Sequence, residues 1–320
     1  EEKQICEGTL TETEIQESIK GMKNKKSPGS DGIPIEFYKI FWSEIKTHLL
    51  NSLNYSFETG KLTPLQNQGI ITLIPKKDRD RTTLSNWRPI TLLNTDYKIA
   101  AKSIANRIKK ILPNVIHHSQ TGFMQQRYIG ENIRLIHDVV TYANDKNVKG
   151  LIMFIDFEKA FDSLDHDFMI ETLTYLNFGP NLLQWIKLFY RNANSCIINN
   201  GYLSPFFKID SGTRQGCPLS PYVFIMMIEI LSVMIRNSEK VKGFQLHDTE
   251  VKFSAYADDV TVFLDGMEEN IASICKLLEL FGRASGLKVN YNKSAILRIG
   301  SLKDTSVQFC PEKNFTWTSE

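Results

Sequence analysis

Helical periodicity governs the first half of the chain. Thr11 followed by Glu14 has the spacing of a capping box, and Ile15, Ile19 and Met22 recur every three or four residues. This predicts a helix that ends at Gly21 and the lysine-rich run to Lys26. Ser27-Pro28-Gly29-Ser30-Asp31-Gly32 carries turn chemistry throughout and is expected as a loop, with a long amphipathic helix after it from Pro34 to Glu58. Ile70 to Pro75 is a short β-branched run stopped by proline, hence a strand, and the charged stretch Lys76 to Arg81 is expected as a loop. Two more helices are predicted, Asp96 to Leu112, closed by Pro113, and Gly130 to Ala143.

The second half alternates differently. Leu151 to Asp156 (LIMFID) reads as a buried strand, followed by helices over Asp165–Leu176 and Asn181–Tyr190. A hairpin is expected over Cys196–Ile209 around Asn199-Asn200-Gly201, then an apolar helix from Ser220 to Asn237. A second hairpin, Val251 to Leu264, has its expected tip at Asp258-Asp259, and a helix from Glu269 to Ala284 follows. Strands mixed with helices in this order predict an α+β domain preceded by a mostly helical region.

Composition adds limits. With 320 residues, 42% hydrophobic and 23% charged, the chain has the profile of a soluble globular protein of one large or two ordinary domains. The longest apolar stretch, Tyr222 to Ile235, is interrupted by Glu229 and falls short of the roughly 20 residues a bilayer requires. A buried core helix and no membrane partner are expected. Glu1 to Gly8 has neither a basic nor an apolar leader segment, and no initiator Met is present, so a piece of a longer polypeptide without a signal peptide is expected. Five cysteines (Cys6, Cys196, Cys217, Cys275, Cys310) without a CxxC pair argue against a disulfide framework or a zinc site and for a reducing intracellular setting. The six histidines lack ligand spacing, and His117-His118 is expected as a surface pair.

Net charge is +2 overall, but Lys61–Arg134 holds 13 basic against 4 acidic residues, leaving a net of −7 elsewhere. Such a block suits a phosphate-backbone partner, with a solvated basic face as the plainer alternative.

The carboxylates carry the chemistry. Asp156 ends an apolar strand, and Asp258-Asp259 interrupts an apolar hairpin where adjacent acids are costly unless a positive charge offsets them. A divalent cation would do so, and Mg²⁺ favours a few carboxylates together with phosphates and water. Alone, an Asp-Asp turn without metal explains the pair as well.

The surrounding motifs decide the matter. Phe154-Ile155-Asp156-Phe157-Glu158-Lys159-Ala160-Phe161-Asp162, Arg214-Gln215-Gly216-Cys217-Pro218-Leu219-Ser220-Pro221 and Tyr256-Ala257-Asp258-Asp259 resemble, in order and interval, the three catalytic motifs of reverse transcriptases. Ser27 to Pro34, Asn86-Trp87-Arg88-Pro89-Ile90 and His118-Ser119-Gln120-Thr121-Gly122-Phe123 resemble finger-region segments of LINE-type non-LTR retrotransposons, and the similarity runs from about Leu10 to Arg298.

The resemblance implies the fingers and palm of a right-hand polymerase with the thumb largely absent. Residues 1–60 would form an N-terminal extension and the start of the fingers, 61–149 the basic fingers, 150–300 the palm, and 301–320 the truncated start of the primer grip. It also implies an RNA-directed DNA polymerase working with an RNA template, a DNA primer, dNTPs and two Mg²⁺ ions, with Mn²⁺ as a substitute. A group II intron-like maturase and a non-enzymatic nucleic-acid-binding remnant are the alternatives. Target-primed synthesis, and hence the nucleus, follows from the resemblance; the oligomeric state stays open. Without a thumb, weak activity is expected.

By the same resemblance Asp156, Asp258 and Asp259 bind the metals, and Phe161 lies under the incoming sugar, where its ring excludes a 2′-hydroxyl. Gln215 and Gly216 lie against the nucleotide and template base, while Arg88 and Lys76 (or Lys77) grip the triphosphate. Lys293 (or Lys288) protonates the leaving pyrophosphate. Cys217 is expected to pack rather than react, since no nearby His activates it.

Overall fold

The computed structural model describes residues 2–319. Its helices are α1 (Glu12–Lys20), α2 (Ile35–Ile40), α3 (Trp42–Thr59), α4 (Pro64–Asn67), α5 (Thr95–Val115), α6 (Ile129–Asp145), α7 (Ala160–Ser163), α8 (His166–Tyr175), α9 (Pro180–Tyr190), α10 (Ser220–Arg236) and α11 (Glu268–Ser285). The strands are β1 (Gln68–Pro75), β2 (Trp87–Leu93), β3 (Gly150–Ile155), β4 (Asn194–Asn199), β5 (Tyr202–Leu203), β6 (Phe207–Lys208), β7 (Phe244–Leu246), β8 (Thr249–Val251), β9 (Phe253–Tyr256), β10 (Asp259–Leu264), β11 (Ala295–Ile299) and β12 (Thr316–Thr318). They sort into two units, each built from two stretches of chain: one up to Ile111 with Met169–Tyr222, the other Leu112–Phe168 with the residues from Val223 on. The boundaries expected from sequence ran in chain order, whereas these units interleave.

In the first unit, Thr11 and Glu14 form the capping box that opens α1. Glu14 also takes the Nε of buried Arg107 at 2.5 Å and its Nη2 at 2.8 Å. The same guanidinium donates to the carbonyls of Glu7, Gly8 and Thr9. Burial opposes the Glu14 charge, but the bonds from Arg107 and Thr11 outweigh it and hold the carboxyl below its usual range. Behind this lies an aromatic core: Phe57 stacks on Trp185 at 4.6 Å, Trp185 on Phe189 at 5.8 Å, and Tyr97 meets Phe189 edge-on at 5.2 Å. A five-stranded sheet runs β2-β1-β4-β5, with β6 also on β4. β1 pairs antiparallel with β2 from Gly69↔Leu93 to Pro75↔Trp87 and parallel with β4.

Local expectations needed correction at α2–α3, α5 and β2. The long helix from Pro34 is broken at Phe41, whose ψ of 21° leaves the helical region, although no Gly or Pro marks the break. Pro113 does not close α5, which continues to Val115; so near a helix end the ring removes a single backbone bond. Strand β2 was not anticipated, because Pro89 and the polar start of Trp87–Leu93 blur its alternation.

The second unit is organised by a sheet of order β12-β11-β3-β10-β9. β3 lies between β10 and β11, and all but Phe154 of its six residues are buried, which explains its unbroken apolar run. Val139 and Ala143 of α6 close over Ile152, Phe244, Phe263 and Ile299. From Val223 to Ile228 every residue of α10 is fully buried, each such side chain contributing about 1.5–3 kcal/mol. Its one acid, Glu229, is buried and paired with Arg236 at 2.6 Å. Among the described residues no helix is long and apolar enough to cross a membrane. Val251 belongs to a separate β7–β8 hairpin, so the acidic hairpin begins only at Phe253.

Candidate active site

Three strands converge on the acidic residues. β3 pairs with β10 up to Ile155↔Val260, and continuing that register by one residue sets Asp156 opposite Asp259. Antiparallel partners of this kind have Cα atoms roughly 4.5–5.5 Å apart. β9 and β10 close at Tyr256↔Asp259, so the two-residue turn is Ala257-Asp258. The expected tip therefore shifts by one residue: Asp258 is in the turn, and Asp259 is the first residue of β10. Ala257 takes a left-handed conformation with φ of 58°.

Asp156 is held by its own backbone. Its N–H donates to Ser294 Oγ at 3.1 Å, and its carbonyl accepts from the N–H of Asn290 at 2.8 Å. Phe157 bridges Val289, and the N–H of Glu158 donates to the carbonyl of Lys288 at 2.8 Å. The 288–294 segment is thus fastened along the end of β3. Lys293 stands exposed within it, between the two residues that hold Asp156. Lys288 is exposed on the same segment, so the choice between the two lysines stays open.

The electrostatics are those of acids gathered without a counter-charge. Burial raises the Asp258 carboxyl above its usual range, a backbone N–H partly offsets this, and the charges of Asp259 and Asp156 add to the rise. Asp259 is raised by burial first and by Asp156 second. Among the described residues, no Lys or Arg forms a salt bridge with any of the three. This oxygen-only, mutually repelling set fits a hard divalent cation. No group of three His, Cys, Asp or Glu among the described residues is spaced to hold an ion alone.

Phe161, in α7, stacks on Phe224 at 4.3 Å and 24° and is half-buried. The remaining sequence-predicted residues belong to the first unit. The Gln215 carbonyl accepts from the N–H of Thr91 on β2 at 2.8 Å. Gly216 has φ of 112°, and a Cβ there would lie 2.6 Å from the Thr91 carbonyl oxygen, so glycine is required. Arg88 is exposed on the same strand. Lys76 donates its ammonium to the Ser85 carbonyl at 2.9 Å while Lys77 is exposed, which keeps Lys77 as an equal candidate. The structure therefore groups Asp156, Asp258, Asp259, Phe161 and Lys293 in one unit, and Lys76, Arg88, Gln215 and Gly216 around β2 in the other.

Cys217 is buried, burial pushes its thiol upward, and its Sγ lies 3.9 Å from Tyr97 Oη, as suits a packing residue. Arg214, not singled out by sequence, is buried over the Tyr97 ring and donates Nη2 to the Asn67 carbonyl at 2.6 Å. An arginine in so apolar a motif was the available signal. Gln120 was also missed: quoted only as part of a finger-like segment, it lies in the unit of the carboxylates.

A carboxylate pair facing a third acid at one end of β3 and β10 is an arrangement compatible with cation-dependent phosphoryl transfer. A profile of the family "Reverse transcriptase (RNA-dependent DNA polymerase)" matches residues 74–317, and the chain belongs to that family. The 149 kDa protein of transposon TX1 from Xenopus laevis is 35% identical over 99% of this chain and 24% of its own length. The Pol polyprotein of retrotransposable element R2 from Popillia japonica is 24% identical over 91% of this chain and 40% of its own. The RNA-directed DNA polymerase from mobile element jockey of Drosophila funebris is 26% identical over 79% of this chain and 27% of its own. The chain thus spans well under half of each relative, and these names agree with the LINE-type, non-LTR resemblance. In fold, it is similar to telomerase from Candida tropicalis, with a TM-score of 0.53 at 12% identity over 83% of this chain and 45% of that one.

Proposed function

We propose that this chain is the catalytic portion of a non-LTR retrotransposon RNA-directed DNA polymerase, which copies an RNA template by adding dNTPs to a primer 3′-hydroxyl. The observation that carries this reading is the meeting of Asp156 with Asp258 and Asp259 at one end of β3 and β10, in a chain of the reverse transcriptase family. The three carboxylates would hold two Mg²⁺ ions, or Mn²⁺, which when bound lower the pKa of the 3′-hydroxyl and neutralise the leaving pyrophosphate. The 3′-hydroxyl gives up its proton to water, the bond from its oxygen to the α-phosphorus forms as the α–β bridge breaks, and Lys293 or Lys288 supplies the departing pyrophosphate with a proton. Phe161, backed by Phe224, presents a rigid ring to the sugar. Arg88, with Lys76 or Lys77, binds the triphosphate, and Gln215 and Gly216 line the nucleotide. Priming at nicked DNA, and with it a nuclear site of action, belongs to the same proposal.

The test is primer extension on poly(rA)/oligo(dT) with dTTP and Mg²⁺, comparing the native chain with Asp258→Ala/Asp259→Ala. Extension by the native chain alone is expected. Equal signals from both, or silence from both, would count against the reading.

A further inference from the structure

We infer that Gln120 is a positioning residue for the catalytic turn: its carboxamide locks the left-handed Ala257 and so fixes Asp258 for cation binding. The kinetic part of this inference rests on the polymerase reading above; the structural part does not.

Gln120 is 1% exposed, and its side chain reaches a residue 137 positions away. Its Oε1 accepts from the N–H of Ala257 at 2.9 Å and from the N–H of Gly122 at 2.8 Å. Its Nε2 donates to the Ala257 carbonyl at 3.3 Å. Both backbone groups of one residue are thus clasped by one amide. That residue needs holding. Two-residue hairpin turns take positive φ at both central positions (type I′) or at the first alone (type II′), and a glycine is favoured at the first position of the latter. Here the first central residue is a buried alanine at φ 58°, a conformation that its Cβ disfavours. The turn sits at the closed end of the β9–β10 ladder, so the Ala257 N–H and carbonyl depend on a partner from elsewhere.

The segment that presents Gln120 is itself built in. The N–H of Ala255 donates to the Ser119 carbonyl at 2.8 Å, and the N–H of Thr121 donates to the Ala255 carbonyl at 2.9 Å, so 119–121 runs as an extra edge along β9. Asn132 ties α6 to the same place by donating to Ser254 Oγ at 2.8 Å and the Ala255 carbonyl at 3.0 Å. Arg127 fans its guanidinium over the carbonyls of Ile116, His117 and Gln120. At Gly122 an added Cβ would lie 2.3 Å from the Ala257 nitrogen, so the segment approaches the turn as closely as glycine permits. Only a carboxamide of this length offers an acceptor to one side of Ala257 and a donor to the other. Methionine would keep the length and lose both, and asparagine would keep both and fall short.

The test uses Gln120→Met and Gln120→Asn in the full chain. Three measurements are made: backbone hydrogen exchange across both units, Mn²⁺ affinity by electron paramagnetic resonance without nucleic acid, and kcat and KM on poly(rA)/oligo(dT). Faster exchange confined to Gly122 and residues 254–260 is expected, with Mn²⁺ affinity weakened ~10–100-fold, as for removal of a group that orients a metal ligand. In the kinetics, kcat should fall by a similar factor while KM for dTTP stays within about twofold. Unchanged exchange at the turn in both variants would overturn the inference, as would an equal rise throughout the unit, which marks a merely structural residue. Should the methionine variant not fold, the asparagine variant decides by the same criteria. If the native chain never extends a primer, the exchange and Mn²⁺ results still judge Gln120, and the polymerase reading fails separately.

Discussion

Replacing Gly216 by alanine would set a methyl carbon 2.6 Å from the carbonyl oxygen of Thr91. That oxygen belongs to the main chain of β2, which is paired along its length with β1 and has little room to move. The backbone adds to the difficulty: φ of 112° lies in a region essentially reserved for glycine, where an L residue costs about 1–3 kcal/mol. The steric overlap is of similar size, about 1–3 kcal/mol for an overpacked site. Lifting the loop away from β2 is the way out, and it sacrifices the bond from the Thr91 N–H to the Gln215 carbonyl, about 0.5–1.5 kcal/mol. Because escape caps the total strain, a net loss near 2 kcal/mol is expected, which for a protein this large lowers Tm by about 3 °C. The same movement carries Gln215 off its perch, so KM for dTTP should rise about tenfold, with a smaller change in kcat. Thermal unfolding and steady-state primer extension on Gly216→Ala measure both. A Tm within about 1 °C of the native chain, with KM unchanged, would refute the close seating of this loop on β2.

Other consequences follow from the same geometry. Glu14→Ala strands the buried Arg107 guanidinium and should destabilise the chain by about 3–5 kcal/mol in urea unfolding; a loss under about 1 kcal/mol would mean that the carbonyl bonds suffice. Asp258 and Asp259 are raised in the folded chain, so without metal they favour folding at low pH and lose that contribution as pH rises through their folded values. Metal-free Asp258→Asn should therefore melt above the native chain at pH 7 while losing Mn²⁺ affinity, and a lower Tm would contradict the repulsion. For the native chain, Mn²⁺ affinity should begin to fall at a higher pH than ordinary carboxylates would dictate, which isothermal titration across pH would show. Phe161→Ala should cut the preference for dTTP over UTP, as the ratio of kcat/KM values, by about 10–100-fold; an unchanged ratio would remove Phe161 from sugar selection.

What could be read in advance was short-range. The Thr11–Glu14 capping box, the unbroken apolar β3 and the apolar α10 each carry their signal within a few turns or residues, and each formed where expected. The break at Phe41 has no local marker, and β2 owes its existence to seven partners on β1 rather than to its own alternation. Charge counting was coarse for a related reason. Arg107 and Arg127 lie inside the basic block, yet both spend their guanidinium groups on carbonyls and a carboxylate of their own unit. A count of cations along the chain does not separate those that face phosphate from those that face the interior. The pairing of Gln120 with Ala257, across 137 positions, was beyond any pattern in one sequence.

The departures from local rules fall where the chemistry is proposed. Asp258 and Asp259 are acids kept where burial and each other's charge oppose ionisation, and Ala257 holds a turn that alanine does not favour. Gly216 accepts a backbone geometry and a contact that no other residue tolerates. The acids and Ala257 are destabilising on their own, and the acidic site is braced by its neighbours. Gln120 holds the turn, and Asn290 with Ser294 holds the backbone of Asp156. A fold under selection for stability alone would have glycine at the first position of the turn and a hydrogen-bonded neutral pair in place of the acids. That it has neither supports the proposed cation at this site, where the repulsion would turn into binding energy.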